Sequence, residues 1–273
     1  MIKIDNALRQ NLLTLALKAG AEIMKVYASG DMQTTWKEDR SPLTQADKAS
    51  HTVLARELAL LTPEIPVISE EALVSDYSLR RTWQYCWLLD PLDGTKEFLK
   101  RNNEFTVNIA LIADGHPAAG VVYAPALDAA YSACSGSGAF KMSAGREIPI
   151  HAGDYRKEGL IIVASRSHAG DKVQALLARL PEAKLISSGS ALKMCLVAEG
   201  RANLYPRLSP TMEWDTAAAH CVVEEAGGVL RTVEGKPLLY NRENLLNPDF
   251  VVCGNPPFPW EEHRDLMVSN KEK

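Results

Sequence analysis

Several things are scarce or missing in this chain of 273 residues. No apolar run approaches the roughly 20 residues that span a bilayer, so no integral membrane segment is expected. The five cysteines stand apart at positions 86, 134, 195, 221 and 253. An odd count without a close pair argues against a disulfide framework or a zinc cluster, and for reduced thiols in the core. Basic residues are not in excess: 30 Lys and Arg face 34 Asp and Glu, a formal charge of −4. That balance excludes the basic stripe of a general nucleic-acid binder. It leaves room for a small polyanionic ligand, because metal ions or a few local cations can reverse the field of one cleft. The opening residues Met1-Ile2-Lys3-Ile4-Asp5-Asn6 lack a signal-peptide pattern. Internal repeats and low-complexity segments are also missing, and oligomeric state is not legible. What remains is an ordinary globular composition, 46% hydrophobic and 23% charged, long enough for one large or two coupled domains.

Periodicity predicts a helix over residues 5–27, with Leu8, Leu12, Leu15, Ala16, Ala19 and Ile23 on one face. A polar loop from Ala28 to Pro42 follows, and Thr44 opens a second helix through Val53, Leu54, Leu58 and Leu61. Strands are predicted at 66–69, 85–89, 106–112, 118–123, 131–133 and 138–141. The polar stretch Ser143 to Glu158 is the expected boundary between a domain over 1–150 and another over 151–273. Beyond it, strands at 160–164, 184–186, 202–205, 229–231 and 250–252 alternate with helices at 171–180, 191–199 and 214–226. The Gly227-Gly228 pair is a good stop for the last helix. Such interleaving predicts layered α/β or α+β architecture.

Trp87-Leu88-Leu89-Asp90-Pro91-Leu92-Asp93-Gly94-Thr95 is the most informative segment. Leu88 and Leu89 read as the end of a buried strand, so Asp90 emerges where the chain leaves the core. Pro91 stiffens the link between the two aspartates, and Gly94 allows a tight turn. Two carboxylates, the Leu92 carbonyl and the Thr95 hydroxyl are hard oxygen ligands of the kind Mg²⁺ prefers. Taken alone, the same pattern also caps a turn; it lacks the alternation of an EF-hand loop.

Three further carboxylates have both a structural and a functional reading. Glu70 follows the short strand Val67-Ile68-Ser69, and two parallel strands ending together would bring it beside Asp90. Glu71 reads as a solvated neighbour. Asp215, in Met212-Glu213-Trp214-Asp215, sits in the first turn of an apolar helix, where an acid suits the helix dipole but can also reach across to the aspartate loop. Asp47 lies three residues after Thr44, a capping-box spacing; a functional Asp47 would have to reach the Thr95 hydroxyl.

Taken together, Glu70-Glu71, Asp90-Pro91-Leu92-Asp93-Gly94-Thr95 and Trp214-Asp215 resemble, in order and spacing, the inositol monophosphatase superfamily of Mg²⁺-dependent, Li⁺-sensitive phosphatases. The resemblance covers essentially the whole chain. It implies a sugar-phosphatase-like fold of alternating helix and sheet layers, α+β or α/β in class. Lys96-Glu97-Phe98 and Asn102-Asn103-Glu104-Phe105-Thr106-Val107-Asn108 narrow it to the bacterial CysQ-type 3'(2'),5'-bisphosphate nucleotidases. Asn103 stands where that branch usually has glycine, a departure expected to affect the loop rather than the chemistry.

The resemblance implies a phosphomonoesterase that removes the 3'-phosphate of adenosine 3',5'-bisphosphate to leave AMP, in sulfur assimilation or nucleotide recycling. Glu70, Asp90 and the Leu92 carbonyl would hold one Mg²⁺, and Asp90, Asp93 and Asp215 a second. Glu70 would also touch a weaker third ion through water. Asp47 and Thr95 would orient the attacking water, Asp47 accepting the Thr95 hydrogen so that the Thr95 oxygen can take a proton from water. No cysteine or histidine is placed to suggest a phosphoenzyme.

Ser165-Arg166-Ser167-His168, Ser188-Gly189-Ser190-Ala191-Leu192-Lys193 and Leu204-Tyr205-Pro206-Arg207 resemble the nucleotide-holding segments of that branch. Physically, Gly189 and Ser190 would open a helix whose free amides favour an anion, with Lys193 one turn in. Arg207 could fork a phosphate or stack on a base, and His168 could donate to a phosphate oxygen. Each also reads as a surface polar residue. The expected substrate contacts are thus Glu70, Leu92, Asp93, Gly94, Thr95, His168, Gly189, Ser190, Lys193, Arg207 and Asp215. The expected partner is a small phosphorylated nucleotide rather than a nucleic-acid polymer. The expected place is the cytoplasm, with peripheral attachment to the inner face of the membrane left open. An inositol monophosphatase or sugar bisphosphatase with the same metal site is the alternative within enzymes. A non-catalytic metal or nucleotide sensor is a different class, and would be expected to have lost a ligand or the water-orienting pair.

Overall fold

The computed structural model describes residues 2–30, 34–36, 42–165 and 171–267. The first helix, α1 (Asn6–Ser29), starts where the Asp5 side chain accepts the Leu8 amide and stops at Gly30, which takes a left-handed φ of 74°. The expected polar loop after it contains a small antiparallel pair, β1 (Thr35–Trp36) and β2 (Pro42–Leu43). Strands of two residues carry no periodicity that a sequence reading could detect. Next come α2 (Gln45–Leu61), β3 (Val67–Ser69), α3 (Tyr77–Arg80), β4 (Tyr85–Asp93) and α4 (Thr95–Leu99). The strands β5 (Thr106–Ala113), β6 (His116–Ala124), β7 (Ala129–Cys134), β8 (Ala139–Ser143) and β9 (Arg146–Ile150) complete a seven-stranded sheet in sequential order. Its β3–β4 pair is parallel and every other pair antiparallel.

The polar stretch expected to separate domains holds β9, the far edge of this sheet. An edge strand with Arg146, Glu147 and Pro149 looks like a loop because it is built to stay solvated. Arg9 of α1, buried, clasps it: its guanidinium donates to both Glu147 carboxylate oxygens, at 2.8 and 2.9 Å, and to Ser132 Oγ at 2.7 Å.

The second half contributes α5 (Tyr155–Glu158), β10 (Ile161–Ser165), α6 (Asp171–Arg179), β11 (Lys184–Ser188), α7 (Leu192–Ala198) and β12 (Leu204–Arg207). It ends with α8 (Glu213–Glu225), β13 (Val229–Thr232), β14 (Phe250–Cys253) and α9 (Arg264–Met267). Five strands form a sheet ordered β11-β10-β12-β14-β13.

Burial alternates along the strands and defines the layers. In β4 and β5, Trp87, Leu89, Val107, Ile109 and Leu111 pack with α1 and α2. The intervening Cys86, Leu88, Ala110 and Ile112 pack with α7, α8 and the inner face of the second sheet. On that sheet's outer face Ile162, Leu204 and Val251 meet α6 and α9. Helices and sheets therefore alternate in five layers. The central strands are apolar on both faces, which explains their unbroken hydrophobic runs. The α8 helix lies so close to β6 that a Cβ on Gly120 would sit 2.4 Å from the Ala218 carbonyl oxygen. Among the described residues no helix is long and apolar enough to cross a membrane.

Candidate active site

The parallel pairing of β3 with β4 carries both strands to one edge, and the Glu70 amide extends the ladder by donating to Leu89 O at 3.2 Å. Glu70 thereby stands beside Asp90. The β4 strand runs four residues past its expected end at Leu89, and its register with β5 breaks between Asp90 and Asp93. Proline donates nothing to a ladder and is tolerated at such an irregularity, so Pro91 bends the strand without ending it.

Local bonds then shape the loop. Asp90, 1% exposed, accepts the Leu92 amide at 3.0 Å. The Pro91 carbonyl accepts Ser50 Oγ at 2.7 Å. Gly94 has φ of 88°, and an added Cβ there would lie 3.1 Å from Glu104 O, so only glycine turns the chain into α4. At the head of that helix the Thr95 hydroxyl faces two acceptors, Leu92 O at 3.3 Å and Asp47 Oδ1 at 3.4 Å. Both are long for an O–H donor, as is common before substrate tightens a site.

Asp47 satisfies both readings of the sequence. Its Oδ2 caps α2, accepting the Thr44 amide at 2.7 Å and the Thr44 hydroxyl at 2.6 Å, while Oδ1 faces Thr95. The Asp215 Oδ2 accepts the Met212 amide at 2.8 Å at the start of α8. One carboxylate oxygen from each of Glu70, Asp90 and Asp215 lies within 4.8 Å of the others. Asp93 is outside that trio. Its Oδ2 accepts the Ala191 amide at 2.6 Å and Asn108 Nδ2 at 3.4 Å, which anchors it between the two halves of the chain.

Electrostatics fit a cation here. Burial, aided by the neighbouring Glu70, Asp93, Asp215 and Asp47 carboxylates, raises the Asp90 pKa well above the usual range. Burial and then Asp93 push Asp215 up to about 8. Burial raises Asp93 too, against the opposing pull of Lys193. Burial lifts Asp47 to about 6, partly offset by its bonds to Thr44. Four crowded carboxylates that resist ionising are stabilised by a bound cation, and an all-oxygen donor set suits Mg²⁺. Ligands across one such ion lie about 4.2 Å apart at most, so the trio would have to close by no more than about 0.6 Å.

A cavity opens beside this cluster, lined by Asp93, Gly94, Ser190, Lys193, Arg207 and Asp215. The expected nucleotide residues behave differently from one another there. His168 lies outside the described residues. Gly189 and Ser190 precede α7 rather than open it, and the nearest amide, Ala191, is taken by Asp93. The aspartate loop thus takes one amide of the turn that leads into α7. Gly189 has a packing duty, since a Cβ would stand 2.8 Å from Glu104 O. Lys193 is 5% exposed, lines the cavity and spends one hydrogen on Ser190 O at 2.6 Å. Arg207 also lines it, with its guanidinium braced by the Ser209 and Pro210 carbonyls at 3.1 and 3.0 Å.

Sequence reasoning passed over Asn108, which holds Asp93, and Ser50 and His51, which reach the loops from α2. Buried polar residues inside otherwise apolar or helical periodicity were the available signal. It also did not single out Lys96 and Glu97 as lining the cavity. Asn103 adopts φ of 69° and its side chain accepts the Tyr27 hydroxyl at 2.7 Å. A left-handed residue explains why glycine is the usual occupant, and asparagine tolerates it.

Comparison with known proteins places the whole chain among relatives. The sequence profile of the Inositol monophosphatase family matches residues 6–269. The 3'(2'),5'-bisphosphate nucleotidase CysQ of Escherichia coli (strain K12) is 50% identical over 240 residues, which is 87% of this chain and 96% of the relative. Its counterpart in Salmonella typhimurium is 49% identical over 245 residues, 89% of this chain and 98% of the relative. The crystal structure of CysQ from Bacteroides thetaiotaomicron superposes with a TM-score of 0.81 at 41% identity, over 91% of this chain and 97% of that one.

Proposed function

Since this chain belongs to the inositol monophosphatase family, we propose that it is a Mg²⁺-dependent 3'(2'),5'-bisphosphate nucleotidase, removing the 3'-phosphate of adenosine 3',5'-bisphosphate to leave AMP. The observation that carries the reading is the convergence of Glu70, Asp90 and Asp215 beside the Asp47–Thr95 pair, in a chain half identical over nearly its whole length to nucleotidases of that name.

In this reading Glu70, Asp90, the Leu92 carbonyl, Asp93 and Asp215 hold two or three Mg²⁺ ions. When bound, these supply charge neutralisation on the phosphoryl oxygens and lower the pKa of water. The chain's own work is orientation and proton handling. Asp47 is fixed by Thr44, so its free oxygen accepts the Thr95 hydrogen. The Thr95 oxygen is then turned to accept a proton from the water that attacks phosphorus, its own hydrogen passing to Asp47, while the 3'-oxygen leaves in line and takes up a proton from solvent. Asp93, Gly94 and Thr95 border the scissile phosphate, while Lys193 and Arg207 offer cations to the rest of the nucleotide, with Ser190 and Gly189 lining the same cavity.

The test is phosphate release with Mg²⁺ from adenosine 3',5'-bisphosphate, inositol 1-phosphate and fructose 1,6-bisphosphate in parallel. The nucleotide is expected to win in kcat/KM by orders of magnitude. A preference for inositol or fructose phosphate would withdraw the nucleotide pocket and leave the metal site standing. Activity on none of them would revive a sensor.

A further inference from the structure

Three side chains of α2 share one face at the helical spacing i, i+3, i+4: Asp47, Ser50 and His51. Each reaches a different segment of the acidic centre. Asp47 faces Thr95 after the aspartate loop. Ser50, with 0% exposure, donates its hydroxyl to the Pro91 carbonyl at 2.7 Å, between Asp90 and Leu92. His51 Nδ1 lies 3.0 Å from Ser69 Oγ, the residue before Glu70, and the same hydroxyl takes the Glu71 amide at 3.4 Å.

A helical serine or threonine ordinarily turns its hydroxyl back onto its own helix, as Thr52 does onto Lys48 O at 2.8 Å. Ser50 bonds across to another element instead. Its partner carbonyl sits in the register break of β4, where the sheet ladder is interrupted. Without Ser50 that buried carbonyl loses this donor, and the peptide joining Asp90 to Leu92 loses a fixed point.

We propose that Ser50 and His51 are positioning residues that hold the Asp90–Leu92 loop and the Ser69–Glu70 strand end in register with Asp47. The α2 face then serves as a template that spaces the carboxylates for divalent-cation binding and turnover. This rests on the phosphatase reading above, but cation binding tests it independently of any substrate.

The experiment compares Ser50→Ala, Ser50→Cys and His51→Leu with Leu54→Val, a core change one turn further along the same helix that removes no polar contact. Mn²⁺ affinity is read by electron paramagnetic resonance, kcat and KM by phosphate release, and stability by thermal unfolding. Loss of an outer support of metal ligands ordinarily costs about 10–100-fold in affinity or activity. Ser50→Ala is therefore expected to weaken Mn²⁺ binding and kcat by about tenfold or more with KM changed less than about twofold. Ser50→Cys, a weak donor of similar shape, should fall between, and His51→Leu should weaken Mn²⁺ binding. Leu54→Val should lower the melting temperature yet leave Mn²⁺ affinity and kcat at parental values. Parental Mn²⁺ affinity and kcat in Ser50→Ala would overturn the proposal, as would equal losses in Leu54→Val. Should Ser50→Ala not fold, Ser50→Cys and His51→Leu decide by the same Mn²⁺ criterion. A parental enzyme that binds Mn²⁺ but ignores the nucleotide would sink the substrate assignment alone.

Discussion

Replacing Gly120 with Ala tests how Asp215 is brought to the other carboxylates. The new methyl would stand 2.4 Å from Ala218 O and 3.0 Å from the Ala218 carbonyl carbon and Cα, against an ordinary contact of 3.4 Å or more. Backbone on both sides cannot rotate away, so β6 and α8 must part by about 1 Å. Overpacking of this kind costs about 1–3 kcal/mol, a drop of roughly 3–10 °C in melting temperature for a chain of this size. Ala218 is one helical turn beyond Asp215, so the same displacement carries Asp215 away from Glu70 and Asp90. Mg²⁺ demands near-ideal oxygen geometry, and a 1 Å error at a catalytic group costs about a hundredfold in rate. Gly120→Ala should therefore remain folded, melt several degrees lower, and lose about two orders of magnitude in kcat at saturating Mg²⁺. Calorimetry and phosphate release check the two halves separately. Parental turnover in a variant that melts lower would show that α8 does not hold Asp215 through this contact, and would refute the reasoning.

Other expectations follow from the same geometry. Asp90→Asn, which removes a charge shared among Glu70, Asp93 and Asp215, should nearly abolish turnover while leaving the fold intact by circular dichroism; substantial activity would contradict the metal assignment. Lys193→Ala should raise KM for a bisphosphate nucleotide more than for a simple phosphomonoester, and an equal effect on both would show that Lys193 does not read the nucleotide. In chelator the acidic cluster makes stability pH-dependent. Burial raises the folded pKa of Asp215 to about 8 and that of Asp47 to about 6, both from 3.8. The folded state therefore binds more protons than the unfolded chain between about pH 4 and 8, and the associated stability is lost as pH rises through that window. The melting temperature in chelator should be higher at pH 6 than at pH 8, and Mg²⁺ should shrink the difference; a chelator curve that rises with pH would contradict the sign.

Local pattern carried most of the architecture and failed at identifiable places. The α1 and α2 helices were legible because each has a long apolar stripe, and β4 and β5 because their runs are apolar on both faces. The β9 edge strand was missed because charge and proline at an edge serve to repel pairing, which imitates a loop. The end of β4 was set four residues early because proline ordinarily stops a ladder, whereas the bulge accommodates it. At 189–191 local pattern could not show that Asp93, arriving from the other half, takes the Ala191 amide.

The chemistry on offer was thus determined by the chain alone. Carboxylates at 70, 90, 93 and 215, a hydroxyl at 95 and the order of these motifs are properties of residue type and spacing. Which of them meet was decided by tertiary structure. The Glu70–Asp90–Asp215 trio joins residues far apart in sequence through a parallel strand pair and a helix docked on Gly120. The division of Asp47 into one capping oxygen and one facing Thr95 depends on where α2 lies against β4. The physical reason is range: propensities, caps and turns are settled within a few residues, whereas burial, pKa and ligand spacing are set by what the packed layers bring across the core.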